Sequence, residues 1–198
     1  MNTDADLYES PEIWDQSIAR GQQNLLSALH AFWPANVRDV LDVGCGDGKI
    51  THEIARLTGA AITGLDSSAE ALSRLKLRAV LGDAARLPFP DGTFDLVMST
   101  DTLEHLNESV HVAAWQEMFR VARDYVVVAV PFREELLEAT ARCTACQKTY
   151  HVNWHQRSYD LPDFPGRARN GWALAAMVLS GGPGRRCSGK RSSTGAPC

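Results

Sequence analysis

The chain has 198 residues, 44% hydrophobic and 22% charged, enough for one α/β domain with a sizeable core. No run approaches the roughly 20 apolar residues of a membrane helix, the acidic start from Met1 to Glu9 reads as no signal peptide, and five cysteines, an odd count, argue against a disulfide framework and for a reducing cytoplasm. The net charge of −4 hides an asymmetry: six cations follow Asp163, leaving 14 Lys and Arg against all 24 acids in residues 1–163, a balance of −10 that speaks against a nucleic-acid partner.

Residues 1–36 read as a helical cap. Pro11 marks a helix start after Tyr8 and before Trp14. Ile18, Leu25, Leu26, Leu29 and Phe32 follow a helical stripe that stops at Trp33-Pro34. This helix either packs on a sheet or covers a ligand with its aromatics.

The centre of the chain is Val40 to Lys49, Val-Leu-Asp-Val-Gly-Cys-Gly-Asp-Gly-Lys. An apolar strand, a turn with glycines at alternate positions (Gly44, Gly46, Gly48) and a helix carrying Ile50, Ile54 and Leu57 on one face make the opening of a nucleotide-binding βα unit. Ala60 to Leu65 is the second strand and ends at Asp66, 20 positions beyond Gly46. An acid there is suited to a ribose diol, and it also precedes a helix that Ser67 or Ser68 would cap.

Leu72 and Leu75 mark the next helix, Arg78 to Leu81 a third strand, and Leu87 to Gly92 a turn-rich loop. Phe94 to Ser99 is the fourth strand and leads into Thr100-Asp-Thr-Leu-Glu-His-Leu. Ala114 or Trp115, Met118, Phe119 and Ala122 fit a long helix. Tyr125 to Val130 reads as a strand buried on both faces, stopping at Pro131. Such alternation predicts an α/β fold, a doubly wound, mostly parallel Rossmann-like sheet with helices on both faces.

A dinucleotide fingerprint, G-x-G-x-x-G, would need a glycine where Lys49 stands, and Asp42 occupies a position that is usually apolar. A dinucleotide-dependent oxidoreductase is therefore the weaker reading. Leu41-Asp-Val-Gly-Cys-Gly-Asp-Gly, Gly64-Leu-Asp-Ser-Ser, the stretch from Gly82-Asp-Ala-Ala to Phe94-Asp-Leu-Val, and Leu103-Glu-His-Leu together resemble four motifs of class I S-adenosylmethionine-dependent methyltransferases, the small-molecule group called type 11, over about residues 7–180. The resemblance implies S-adenosylmethionine as cofactor. Asp42, Gly44 and Gly46 would then hold its methionine moiety, Asp66 its ribose, with Ser67 beside the adenine. Asp83 and Ala84 would take the adenine amino group and ring, and Thr100 or Asp101 would line the pocket near the sulfonium.

The acceptor implied is a small molecule, for instance a hydroxyl of a sugar or natural-product intermediate. His105 is the candidate base with Glu104 as rival, and either is equally readable as a partly buried structural residue. No Asn/Asp-Pro-Pro-Tyr signature follows strand four, which weakens nucleic-acid bases and amides as acceptors.

An insert at 140–160 carries Cys143, Cys146, His151 and His155. Cys-x2-Cys with two nearby histidines suits one structural zinc ion, and free thiols with substrate-facing histidines are the alternative. Gly171 to Ser180 resembles the family's sixth strand. Beyond it the chain departs from the family: the expected final antiparallel strand is replaced by a glycine-rich basic tail, 181–198, read as disordered. A natural truncation or a change of reading frame would explain the departure, and a truncated, non-catalytic cofactor- or zinc-binding domain is the second functional reading.

Overall fold

The structure, a computed structural model, describes residues 8–144, 146–164 and 171–179. Two helices come first, α1 (Pro11–Trp14) and α2 (Arg20–Ala31). Then β1 (Asp39–Val43), α3 (Lys49–Thr58), β2 (Ala61–Asp66), α4 (Ala69–Arg74) and β3 (Arg78–Leu81) build one half of a sheet. The other half is β4 (Phe94–Thr100), α5 (Glu108–Val121) and β5 (Ala122–Ala129). A small hairpin follows, β6 (Thr140–Arg142) and β7 (Thr149–His151), paired antiparallel.

The five main strands are parallel, in the order β3-β2-β1-β4-β5. The chain winds outward from β1 to β3, then returns to place β4 on the other side of β1. This reversal makes a switch point at the carboxyl ends of β1 and β4, where doubly wound sheets bind ligands. Side chains alternate across the sheet as the two-residue period demands. Leu41, Val43 and Val97 pack under α5 with Trp115 and Met118, whereas Val40, Leu96 and Met98 pack under α3 with Ile50 and Ile54. The stripe of α2 adds Leu26 and Leu29 to that second layer, so the helix does pack on the body.

Four local devices fix these elements. Pro11 stands at the first helical position of α1. Ser68, not Ser67, caps α4 by accepting from the Ala71 amide at 3.0 Å, and Asn107 caps α5 through Val110. Gly59 ends α3 in the left-handed conformation at φ 73°.

Two expectations need correction. Tyr125 to Val130 is not buried on both faces, and Tyr125 is 39% exposed: among the described residues β5 has a partner only in β4 and is an edge strand. Residues 171–179 form no strand. Trp172 packs on Phe119 of α5, ring centroids 5.2 Å apart, while the other residues of this segment are exposed, Leu179 to 61%. Ser180 and the tail 181–198 lie outside the described residues.

Candidate functional site

The glycine loop leaves β1 at its carboxyl end. Gly44 and Gly46 hold φ of 76° and 54°, the left-handed region that a side chain disfavours. Their surroundings are as demanding as their torsions. A Cβ on Gly44 would lie 2.2 Å from Thr102 Cγ2, and one on Gly46 would lie 2.8 Å from the Trp14 ring. The loop is tied to β2 by backbone: the Gly44 and Cys45 amides donate to the Leu65 carbonyl at 2.7 and 3.1 Å.

Asp66 ends β2, and its carboxylate accepts the Gly46 amide at 2.8 Å and the Ser68 amide at 2.9 Å. It therefore braces the loop and opens the next helix at once. Burial raises its pKa, opposed by those amides. Asp42 lies one strand away and is 1% exposed. Oδ2 accepts the Thr51 hydroxyl at 2.7 Å, while Oδ1 has no hydrogen-bond partner. Burial pushes this carboxyl up to about 7, with the Thr51 bond acting against it and the Asp66 charge adding to it. A buried acceptor of this kind at a glycine cradle suits a polar, cationic ligand.

Asp83 and Ala84 follow β3. The Asp83 carboxylate accepts the Ala85 amide at 2.8 Å in an exposed turn, and Ala84 packs on the core. Ser67 is exposed beside Asp66. Thr100 is buried at the end of β4, and the Thr102 hydroxyl lies 3.0 Å from the carbonyl oxygens of both Thr100 and Gly44. The predicted cofactor residues thus gather along the carboxyl edge of β1, β2, β3 and β4.

The cap closes over this edge. The Tyr8 carbonyl accepts the Ser68 hydroxyl at 2.7 Å and the Trp14 indole N–H at 3.0 Å. The Glu9 carboxylate accepts the Ala69 and Glu70 amides.

Glu104 and His105 lie on a single 3-10 turn, Leu103–His105, just past β4. Glu104 is fully buried, and neither carboxylate oxygen has a hydrogen-bond partner. Burial, then the charges of Asp101 and Glu134, pushes its pKa up to about 8. Burial, then His155, pulls His105 down to about 4, so its imidazole is neutral at pH 7. The His105 ring stands edge-on to His155, 4.8 Å between centroids, and edge-on to Tyr8, 6.1 Å.

The insert reaches this turn by a clasp. The Gln156 amide donates to the Glu104 carbonyl at 2.8 Å, and its side chain donates to the His105 carbonyl at 2.7 Å. Arg157 donates to the Leu106 carbonyl and to Glu108.

The expected zinc set does not assemble. Thr140 pairs with His151 and Arg142 with Thr149, so the hairpin puts the cysteine turn at its tip and the histidines at its base. Cys143 lies three residues beyond the position opposite His151, roughly 10 Å along a strand, and is disulfide-bonded. Among the described residues the groups close enough to share an ion are Glu104, His105 and His155, and Glu134, His151 and His155. His151 and His155 do meet, stacked at 4.9 Å. A turn through Trp154 at φ 60° brings them together, not a helix. Glu134 went unremarked in the sequence. Its signal was its position just beyond the carboxyl end of β5, the sheet edge where site residues collect.

A family model described as a methyltransferase domain matches residues 40–125, which span β1 to the middle of β5. Over residues 40–125 the chain is therefore similar to methyltransferase domains. Sterol 24-C-methyltransferase ERG6B of Gibberella zeae is 35% identical over 105 residues, 48% of this chain and 27% of that protein. The 27-O-demethylrifamycin SV methyltransferase of Amycolatopsis mediterranei is 29% identical over 114 residues, 50% of this chain and 42% of that protein. The chain thus spans less than half the length of these relatives. The fold of the domain matches a crystal structure of a SAM-dependent methyltransferase from Archaeoglobus fulgidus, TM-score 0.58 at 20% identity, over 74% of this chain and 66% of that one. No described helix is long and apolar enough to cross a membrane.

Proposed function

We propose that the protein transfers the methyl group of S-adenosylmethionine to a small organic acceptor. The observation that carries this reading is the buried, unpartnered Asp42 Oδ1 beside a glycine loop braced by Asp66. The residues present fit the cofactor: Asp42 and the Gly44–Gly46 backbone offer a cradle for its methionine portion, Asp66 an acceptor for its ribose, and Ser67, Asp83 and Ala84 the wall around its adenine. A bound sulfonium supplies an activated methyl group with a neutral leaving group. The protein then has to exclude water and align an acceptor.

The acceptor would enter the cleft between α2, the turn after β4 and the hairpin, which Gln22, Asp101, Glu104, His105 and His155 line. A hydroxyl of a sugar or natural-product intermediate fits this polar end, and the relatives' names span a sterol carbon and an antibiotic oxygen. Neutral His105, with unpartnered Nδ1, is the group that accepts the acceptor's proton, and Glu104 is its rival.

Calorimetry on untagged protein tests the cofactor reading. One S-adenosylhomocysteine per chain, with no NAD binding, is expected, and the reverse would overturn it. Release of S-adenosylhomocysteine on addition of small hydroxylated acceptors tests the reaction. Cofactor binding without turnover on any acceptor would favour the second reading, a non-catalytic cofactor-binding domain. The unpaired outer edge of β5 among the described residues is the observation that keeps this reading in play.

A further inference from the structure

We propose that Glu104, His105 Nδ1 and His155 Nε2 form a three-ligand site for a zinc-type divalent ion, open to the acceptor cleft. One ligand atom from each of the three residues lies within 4.8 Å of the others, and Glu104 Oε1 and His155 Nε2 are 4.0 Å apart. Bonds of about 2.0–2.2 Å to such donors need the side chains to close by roughly 1 Å, within the reach of ordinary χ rotation.

Three features point to an ion and not to a plain polar cluster. First, Glu104 is completely buried with both oxygens unpartnered, an arrangement that costs free energy unless something positive or proton-bearing meets it. Second, one nitrogen of each histidine is left to face a ligand. His155 Nδ1 is in a short contact with the Glu134 carboxylate, which fixes the proton on Nδ1 and leaves the Nε2 lone pair facing Glu104. His105 Nδ1 is buried and has no partner. A carboxylate or carbonyl behind a ligating histidine is the usual outer support of a metal site. Third, Glu104, His105 and His155 all line the cleft together with Asp101 and Tyr8, so the remaining coordination positions face the space proposed for the acceptor.

Two imidazoles and a carboxylate suit zinc and its neighbours. The ion would bind an acceptor oxygen and lower the pKa of its hydroxyl. With the ion bound, His105 and Glu104 would serve as ligands in place of the base role they have without it, and the proton would leave to solvent through the open cleft. This acceptor role rests on the methyl-transfer reading. The ion site itself does not.

The test is cobalt and zinc titration of chelator-stripped, untagged protein. The expected result is one Co2+ per chain with a d–d spectrum of nitrogen and oxygen ligands, lacking thiolate-to-cobalt charge transfer, and displaced by Zn2+. Glu104→Gln and His155→Gln should weaken binding at least 100-fold, Glu134→Gln about 10–100-fold, and Cys146→Ser should leave it unchanged. Absence of binding, a thiolate band, or undiminished binding in Glu104→Gln and His155→Gln would overturn the site. The wild-type spectrum decides even where a variant fails to fold. S-adenosylhomocysteine calorimetry on the same stripped protein reads the methyltransferase assignment separately, so the two can fail independently.

Discussion

The Asp66 carboxylate holds the Gly46 amide at 2.8 Å across 20 residues of chain. One side chain therefore shapes the loop and, through the Ser68 amide, the start of the next helix. Asp66→Ala should weaken S-adenosylhomocysteine binding by about 10–100-fold, the loss of about 1.5–3 kcal/mol expected for a hydrogen-bonding charge. It should also lower the melting temperature by a few degrees without ligand, because the Gly46 and Ser68 amides lose their acceptor. Calorimetry and thermal melts of the two proteins check both effects. Unchanged affinity would remove Asp66 from the site.

The Asp42 carboxyl titrates far above its ordinary value of 3.8, near 7, which fixes a sign. Where the native carboxyl is protonated and the unfolded one is not, the native state binds more protons, so stability falls as pH rises through that window and then levels off. Asparagine carries no such charge. Asp42→Asn should therefore gain on wild type between pH 4 and 7, reaching a melting advantage on the order of 5 °C at pH 8, while losing cofactor affinity. Parallel melts at pH 5 and pH 8 without ligand measure it, and a pH-independent difference would contradict the burial argument.

Two glycines with similar torsions separate strain from clash. Gly59 has φ 73° and open space around its Cβ direction, whereas Gly44 has φ 76° and Thr102 atoms at 2.2–2.8 Å. Gly59→Ala should cost about 1 kcal/mol, the conformational penalty alone. Gly44→Ala should cost about 2–4 kcal/mol or prevent folding, because overpacking adds to strain. Urea denaturation of both variants makes the comparison. Equal losses would mean that Thr102 moves aside freely.

Arg120 of α5 gathers the loop after β3. Its guanidinium donates to the Leu87 and Phe89 carbonyls at 3.0 and 2.8 Å and pairs with Glu117 and Asp91. Its own carbonyl accepts the Gly92 amide at 2.9 Å. Arg120→Met should destabilise the protein by about 1–3 kcal/mol through orphaned carbonyls. Arg120→Lys should recover only part, since an ammonium cannot reproduce the planar fork. Denaturation midpoints distinguish the three proteins.

The sheet was readable because its strands obey local rules: a β-branched or apolar run, a glycine or acid at the carboxyl end, and a helix stripe after each. That Asp42, Gly44, Gly46 and Asp66 gather at one sheet edge was readable for the same reason, since their spacing is set by one strand, one turn and one helix. The misreadings are all non-local. The exposure of Tyr125 depends on whether a neighbour strand pairs with β5. The apolar run Gly171 to Leu179 finds no strand to pair with among the described residues, and only Trp172 packs, on Phe119. The cysteines and histidines of the insert are close in sequence, yet the antiparallel register of β6 and β7 puts them at opposite ends of a hairpin. Glu134 joined the histidines because β5 and the hairpin end at the same place, a coincidence no spacing rule encodes.

The clasp made by Gln156 and Arg157 lands on the turn after β4 and on the start of α5, and not on β1, β2 or β3. Tyr159 adds a second anchor, buried in the core with its hydroxyl 2.8 Å from His111 Nε2, so the hairpin is fastened to the β4–α5 side of the sheet. Such a joint lets residues 132–160 behave as a cassette: a different hairpin carrying the same glutamine, arginine and tyrosine fasteners could be exchanged in while β1, β2 and β3 keep their geometry. Diversification would then proceed by replacing a loop and retaining its fasteners, with no change to the strand ends of the parallel sheet.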